Sequence, residues 1–295
     1  MRVLVIGASG QVGRALCAAF ASPHAVVPAS HQHVEAGQQP IDLGDGASIA
    51  RLWRDVQPEL VLLAGGMCNV DGCEIEPDVC RRVNVAGTQA IAREAQATGA
   101  TVVFFSTDHV FDGSCDINRE TDPVAPMNVY SESKVQAEEI LRRCLPGRHV
   151  ILRTSGVYGC DAHRRNFVLR LIDRIRRGEP VTVPENQWGS PTFAEDLAGA
   201  TLALVTRGQT GTFHATSPDF VSRVTFARRI CERFELDPSL IVPRATSSLG
   251  QAARRPLKVR LDCRKLAEAG VEPFQTIDAG LRRLRASLES VAERH

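Results

Sequence analysis

The sequence predicts an α/β protein: a doubly wound parallel sheet over residues 1–155, then residues 156–295, mainly a smaller C-terminal α/β substrate-binding lobe with some segments returning to the sheet domain. Three observations carry that expectation. A continuous apolar run, "RVLVI" (Arg2–Ile6), feeds straight into the glycine-spaced "GASGQVG" and then the helical pattern "RALCAAF". Further apolar runs alternate with stretches of helical length and period. Finally, the strand-like "TVVFFST" is followed by "NVYSESK", where Tyr130 and Lys134 stand four residues apart.

The first run reads as a central strand buried on both faces, because nothing polar interrupts it. Gly7, Gly10 and Gly13 let the chain turn tightly and let the next helix approach a pyrophosphate, whose charge the helix N-terminus favours. Ser9, Gln11 and Val12 lie between these glycines and share the candidate cofactor site. "HAVVPA", "ELVLLAG" and "TVVFFST" read as the second, third and fourth strands. "PDVCRRVNVAGTQAIAREAQATG" reads as one helix ending at Gly99. In such a sheet ligands bind beyond the carboxyl ends of the strands. That places Ser30 and His31 near the adenosine ribose, where an acidic residue would favour NAD and an arginine NADP. Neither is present, so the choice stays open. Asp42, with Leu43, is a candidate adenine contact or a turn aspartate.

Beyond residue 155 the pattern shifts to shorter strands and helices. "NFVLRLIDRIRRGE" has apolar residues at helical spacing with Asn166 at its start, and Asn166 is a candidate substrate contact. "VTVPENQWGSPTFAEDLAGATLAL" reads as a short strand, a turn-rich loop and a helix opened by Thr192. In that loop Gln187 and Trp188, and further on Arg255, are candidates for gripping a nucleotide or sugar: Trp188 through a stacking face, Arg255 through a diphosphate.

Composition narrows the partners. A net charge of +1 and a pI near 7.6 give no electrostatic footprint for nucleic acid or an anionic membrane. Nine cysteines without Cys-x-x-Cys or cysteine–histidine clusters imply reduced thiols and no metal centre. With no signal-peptide pattern and no apolar segment of spanning length, the expectation is a soluble cytoplasmic protein.

"GASGQVG", "NVDGCEIEPDVCRRVNVAGT", "STDHVFDG", "YSESK", "LRTSGVYG", "QWGSPTFAEDLA", "GTFHA" and "ARRPLKVRLDCRKL" occur in this order across nearly the whole chain. Together they resemble the extended short-chain dehydrogenases/reductases, and within them the dTDP-4-dehydrorhamnose reductase family of nucleotide-sugar ketoreductases. The resemblance implies a Rossmann fold and NADP(H) or NAD(H), with NADPH slightly preferred. It also implies a nucleotide-sugar substrate, and it admits a homodimer. It puts the catalytic residues at Thr107, Tyr130 and Lys134, with Asn84 supporting the lysine, and the nicotinamide ribose near Ala64, Gly65 and Gly66. Asp108 and His109 are candidate substrate contacts, with a strand-end aspartate stapling its loop as the equal alternative for Asp108. Magnesium occurs in some members, but no carboxylate cluster here demands it.

The chemistry suits these residue types. Ketone reduction needs a hydride at carbon and a proton at oxygen. A lysine cation one turn from a tyrosine favours phenolate, which lowers the phenol's pKa. A strand-end threonine can steady the developing oxyanion. Two positions depart from the rhamnose-forming pattern: Gly156 where tryptophan is common, and His109 where tyrosine is usual. The acidic pair of the 4,6-dehydratases is absent from Thr107-Asp108-His109, which demotes that activity. An alternative is a non-catalytic, NADP-binding regulatory role like that of the methionine adenosyltransferase β-subunit, which would need a protein partner.

Overall fold

A computed structural model describes residues 1–292; the last three residues of the 156–295 lobe lie outside that range. The central sheet is built from β1 (Arg2–Ile6), β2 (Ala25–Ser30), β3 (Gln39–Pro40), β4 (Leu60–Leu63), β5 (Thr101–Thr107) and β6 (His149–Thr154). After two short strands, β7 (Val181–Pro184) and β8 (Trp188–Gly189), the chain returns to it as β9 (Gly211–His214). All pairings are parallel, in the order β3-β2-β1-β4-β5-β6-β9.

The two-residue period of a strand sends alternate side chains to opposite faces, which explains why these runs are apolar throughout. Val3, Val5, Leu60, Leu62, Val103 and Leu152 pack against α1 (Gln11–Phe20) on one face. Leu4, Ile6, Val61, Leu63, Phe104 and Ile151 pack on the other face against α2 (Gly46–Val56).

The segment read as one helix before Gly99 is more finely divided. After a separate short α3 (Val70–Ile75), it comprises α4 (Pro77–Cys80), a π-helical stretch over Arg81–Ala86, and α5 (Gly87–Thr98), capped by Gly99 at φ 83°. An inserted π turn shifts the helix face by a residue and is frequent at functional sites; here it carries Asn84. Helix α6 (Val129–Cys144) packs beside α5 through Ala137, Ile140 and Leu141.

In the second half, α7 (Phe167–Arg176) precedes β7, and α8 (Ala194–Thr206) packs beside α1 on the first face of the sheet. Helix α8 begins two residues after Thr192, whose hydroxyl turns back to donate to Ser190 O (2.9 Å), so the cap position falls to Phe193. Next come β10 (Val221–Ser222), antiparallel to β8; α9 (Arg223–Phe234); and β11 (Ile241–Arg244), parallel to β7. Then follow α10 (Arg264–Glu268) and α11 (Ile277–Ala292). Helices α7, α9 and α11 share a separate apolar core with Tyr158 and Phe193. No described helix is long and apolar enough to cross a membrane.

One buried ion pair ties α6 to the sheet. Glu138, with no exposed side-chain surface, accepts from Arg153 Nε (3.0 Å) and Nη2 (2.7 Å), from Ser106 Oγ (2.6 Å) and from Arg142 Nη2 (2.6 Å). Burial pushes its carboxyl up, but the Arg153 bonds and charge, with Ser106 and Arg142, outweigh this and hold it below the ordinary range. A depressed folded-state pKa contributes stability above the unfolded value of about 4.3, lost as pH falls through the folded value. Glu138→Gln is expected to cost about 3–5 kcal/mol by leaving Arg153 buried and unpaired, and to flatten the acid limb. Denaturant unfolding between neutral pH and pH 3 checks both; equal stability of the variant would refute the assignment.

Candidate active site

The order of the strands reverses direction between β1 and β4, and crevices at such switch points hold ligands in doubly wound sheets. Here the crevice walls are glycine. Gly7 (φ +88°) closes β1, and a Cβ on it would stand 2.6 Å from Gly65 N in the turn after β4. A Cβ on Gly13 would stand 2.1 Å from Gly7 O, so α1 can only approach β1 this closely with glycine at that position. Helix α1 is ten residues long. Gly10 caps it without a side-chain bond, and no acidic residue occupies its first turn. Its positive end and free N–H groups therefore suit a pyrophosphate. Gln11 Nε2 donates to Val157 O (3.0 Å), while its Oε1 is buried without a partner among the described residues. Val12 packs into the α1 core. The residues present fit a dinucleotide.

The flank after β2 does different jobs. Ser30 is buried and accepts from Ser9 N (3.0 Å), bracing the glycine turn. His31 is largely exposed and lies 3.7 Å from Asp42. The carboxylate of Asp42 also accepts from Gly44 N (2.7 Å), a turn-forming bond, so the aspartate holds its own loop while facing His31. Leu43 packs against Gly65 and Gly87. No carboxylate belongs to the end of β2 itself.

At the carboxyl end of β5, Thr107 donates to Asp108 Oδ1 (3.2 Å) and accepts from His109 N (3.1 Å). Ser155 donates to the other Asp108 oxygen (2.6 Å). Asn128 and Ser131 form a capping box that fixes the first turn of α6, where Tyr130 sits. The Thr107 hydroxyl faces the Tyr130 phenol and acts to lower its pKa. Lys134, buried, stands one turn further along with Nζ 4.0 Å from the centroid of the Phe104 ring.

Asn84 does not reach Lys134 directly. Its side chain accepts from Met67 N (2.8 Å) and donates to Met67 O (3.0 Å) and Ser133 Oγ (3.0 Å), and Ser133 in turn donates to Tyr130 O (2.7 Å). It joins the loop after β4, including Gly66, to α6. A Cβ on Gly66 would press on Asn84 Oδ1 at 2.9 Å.

Electrostatics corrects one expectation. The sequence argument had Lys134 lowering the Tyr130 pKa. Instead burial, followed by the nearby Cys68, drives the phenol well above its ordinary value, against the Thr107 bond that lowers it. Burial lowers the Lys134 pKa. Tyr130 is thus held as a neutral hydroxyl, a proton donor rather than a phenolate. His109 is neutral too: burial lowers its pKa first, with Asp108 opposing and Arg255 and Arg223 assisting. Its ring meets Tyr130 edge-on at 6.2 Å, and its Nδ1 is buried without a partner among the described residues.

The remaining candidates separate. Gln187 keeps a buried, unpartnered Nε2. Trp188 is exposed, 5.9 Å from Phe220 and beneath Lys258 Nζ (5.6 Å), on the wall of an open depression of about 500 Å³. Asn166 is a helix cap: its Oδ1 accepts from Leu169 N (3.0 Å) and its Nδ2 donates to Gly159 O (3.0 Å). Arg255 forks onto Asp71 (2.9 and 2.8 Å), holding α3 to the C-terminal half rather than standing free for a diphosphate. Residues that the sequence reading passed over include Ser133, Ser155, Asp71, Arg223 and Glu138. Only tertiary pairing reveals them.

A dinucleotide crevice at the switch point, with a threonine–tyrosine–lysine set at the next strand end, defines the class as the extended short-chain dehydrogenases/reductases. The chain belongs to the family described as the RmlD substrate binding domain, which matches residues 1–290. The dTDP-4-dehydrorhamnose reductase of Streptomyces griseus is 32% identical over 286 residues, covering 95% of this chain and 91% of that protein. The spore coat polysaccharide biosynthesis protein SpsK of Bacillus subtilis is 32% identical over 273 residues, covering 92% and 93%. Among solved structures, a dTDP-4-dehydrorhamnose reductase of Clostridium acetobutylicum superposes with TM-score 0.88 at 27% identity, over 98% of this chain and 100% of that one. Its Bacillus anthracis counterpart, solved with NADP, gives 0.88 at 26% identity, over 97% and 99%.

Both tyrosines, Tyr130 and Tyr158, have raised pKa values, with burial the largest cause. Unfolded tyrosine ionises near 10, so their stabilisation is complete below that pH and is lost as pH rises towards the folded values. Ultraviolet titration of the folded protein is expected to show no phenolate step near pH 10, with ionisation appearing only as the chain unfolds. A one-tyrosine step in folded protein would overturn the neutral Tyr130.

Proposed function

We propose that this chain reduces the 4-keto group of a nucleotide-linked deoxysugar with NADPH, as a dTDP-4-dehydrorhamnose reductase-like enzyme. The observation that carries the reading is the meeting of Thr107, Tyr130 and Lys134 beside a glycine crevice. The names of the relatives support it, and the Bacillus anthracis structure with NADP supports the cofactor. They favour an enzyme over a regulatory subunit. We further propose that residues 1–155 hold the dinucleotide and that the sugar nucleotide is held mainly by 156–295. The site of action would be the cytoplasm, where the nine free cysteines stay reduced.

Gly7, Gly10 and Gly13 would hold the pyrophosphate at the N-terminus of α1, and Ala64–Gly66 would face the nicotinamide ribose. The bound cofactor would supply the hydride. Tyr130, held neutral by burial, gives its proton to the ketone oxygen as charge builds there. Thr107 turns its hydroxyl hydrogen from Asp108 towards the same oxygen and steadies it. Lys134 supplies positive charge behind Tyr130 and a donor for ribose hydroxyls. Asn84 acts at one remove, by fixing the loop that carries Gly66 and the helix that carries Tyr130.

Purified protein with dTDP-4-dehydrorhamnose is expected to oxidise NADPH, followed by nicotinamide absorbance. Tyr130→Phe should lose about 10²–10⁴-fold in turnover while retaining NADPH binding. Tight cofactor binding with no turnover of this or its 4-keto-6-deoxyglucose precursor would sink the reading.

A second expectation concerns cofactor choice. His31→Asp places a carboxylate by the adenosine ribose, where it would repel a 2′-phosphate; like-charge contacts of that kind cost on the order of several kcal/mol. The ratio of kcat/KM for NADH over NADPH should rise at least about tenfold. An unchanged ratio would place the 2′-phosphate elsewhere.

A further inference from the structure

Arg223 opens α9 at the edge of the same cleft. Its backbone N–H donates to Gln187 O (2.8 Å), and Ser222 caps the helix by accepting from Thr225 N (3.0 Å). Its guanidinium lies 3.9 Å from the centroid of the Phe167 ring. Among the described residues that guanidinium donates no hydrogen bond and has no carboxylate at ion-pair distance.

Its charged neighbours make this arrangement costly. Burial and the repulsion of Arg170 push its pKa down to about 10, with Arg255 adding to the effect and Asp108 opposing it. It remains a cation at neutral pH. The two oxygens of Asp108 are already engaged by Thr107 and Ser155, and Asp71 is engaged by Arg255. Arg223 is part-buried, and a guanidinium withdrawn partly from water with no protein acceptor gains from an anion that meets its donors.

Gly156 and Pro191 face it. Gly156 has φ +52°, and a Cβ built on it would stand 3.9 Å from Arg223 Nη1, with Pro191 the other neighbour at 3.5 Å. The buried Nε2 of Gln187, on the residue whose carbonyl holds the Arg223 N–H, is also without a partner. Ser155, next to Gly156, bonds Asp108, which bonds Thr107, so hydrogen bonds link this wall to the Thr107 hydroxyl. A planar fork without a protein acceptor and an unpartnered amide donor suit an oxyanion.

We propose that Arg223 is a specificity-determining substrate contact that takes an oxyanion of the sugar nucleotide, with Gln187 as the adjoining donor. The proposal rests on the reductase reading for the identity of the substrate. The oxyanion has two sources, the diphosphate or a carboxylate on the sugar ring, and both present the same planar or tetrahedral acceptor edge to the guanidinium.

The test measures binding to the full chain by calorimetry, using thymidine, thymidine diphosphate, dTDP-glucose and dTDP-glucuronate, with NADPH as the check on folding. Arg223→Gln is expected to weaken the oxyanion-bearing probe roughly 10- to 100-fold, the range for a hydrogen bond to a charged group. If the diphosphate is bound, thymidine diphosphate and dTDP-glucose both weaken and thymidine does not. If a carboxylate is bound, the wild-type protein prefers dTDP-glucuronate to dTDP-glucose and the variant loses that preference. Arg223→Lys keeps the charge without the fork and should fall between the two, which carries the test should the glutamine variant fail to fold. Unchanged affinities for all anionic probes, with NADPH binding intact, overturn the proposal, as does wild-type protein that binds no anionic probe better than thymidine. Wild-type protein that binds these probes through Arg223 but reduces no 4-keto sugar nucleotide would overturn the reductase reading and leave the Arg223 contact standing.

Discussion

The buried clamp of Glu138 on Ser106 and Arg153 sets the geometry on which the site depends. Ser106 and Arg153 are direct partners across β5 and β6, one residue short of Thr107 and Thr154 at the strand ends. Glu138 reaches both from α6, and Lys134 and Tyr130 precede it on the same helix face at intervals of four. Hydrophobic contact alone would leave α6 free to slide by a fraction of a turn. Directional bonds between charged groups in a low-dielectric interior do not. The carboxylate therefore keys the helix to the register of the sheet and brings Tyr130 to the level of Thr107.

A second chain of contacts runs from the cofactor crevice to the same helix. Gly7 and Gly65 touch because neither has a side chain, Gly66 abuts Asn84, and Asn84 bonds both Met67 and Ser133. The π turn over Arg81–Ala86 presents Asn84 to these partners. The glycine turn and the helix that carries Tyr130 are thus parts of one packed network.

The charge pattern of the cleft is consistent with reduction. Burial favours the neutral forms of Tyr130 and His109, while Arg223 is a cation beside an aromatic face with no carboxylate partner among the described residues. Arg255, which the sequence offered as the anion binder, is used structurally by Asp71. The free guanidinium comes from a residue that, in "VSRVTFARRI", looks like an ordinary surface arginine of an amphipathic helix.

Much of the fold was legible because its signals are local. Strand β1 and strand β5 have the bounds read from the sequence, since an apolar run between turn residues needs no other information. The cradle glycines and the Tyr130–Lys134 spacing were legible for the same reason: backbone freedom and helical period are properties of neighbours in sequence. Not legible were the π turn at Asn84, the capping role of Asn166, the Arg255–Asp71 pair and the direction of the Tyr130 pKa. Each depends on which atoms lie nearby from distant segments: the 17-residue step from Met67 to Asn84, the 184-residue step from Asp71 to Arg255. The sequence by itself determined the alternation of strands and helices, the glycine turn after β1 and the residue types of the candidate site. Only the tertiary structure decided which polar groups were paired and which were left to face the cleft, because desolvation and hydrogen bonding act through space and not along the chain.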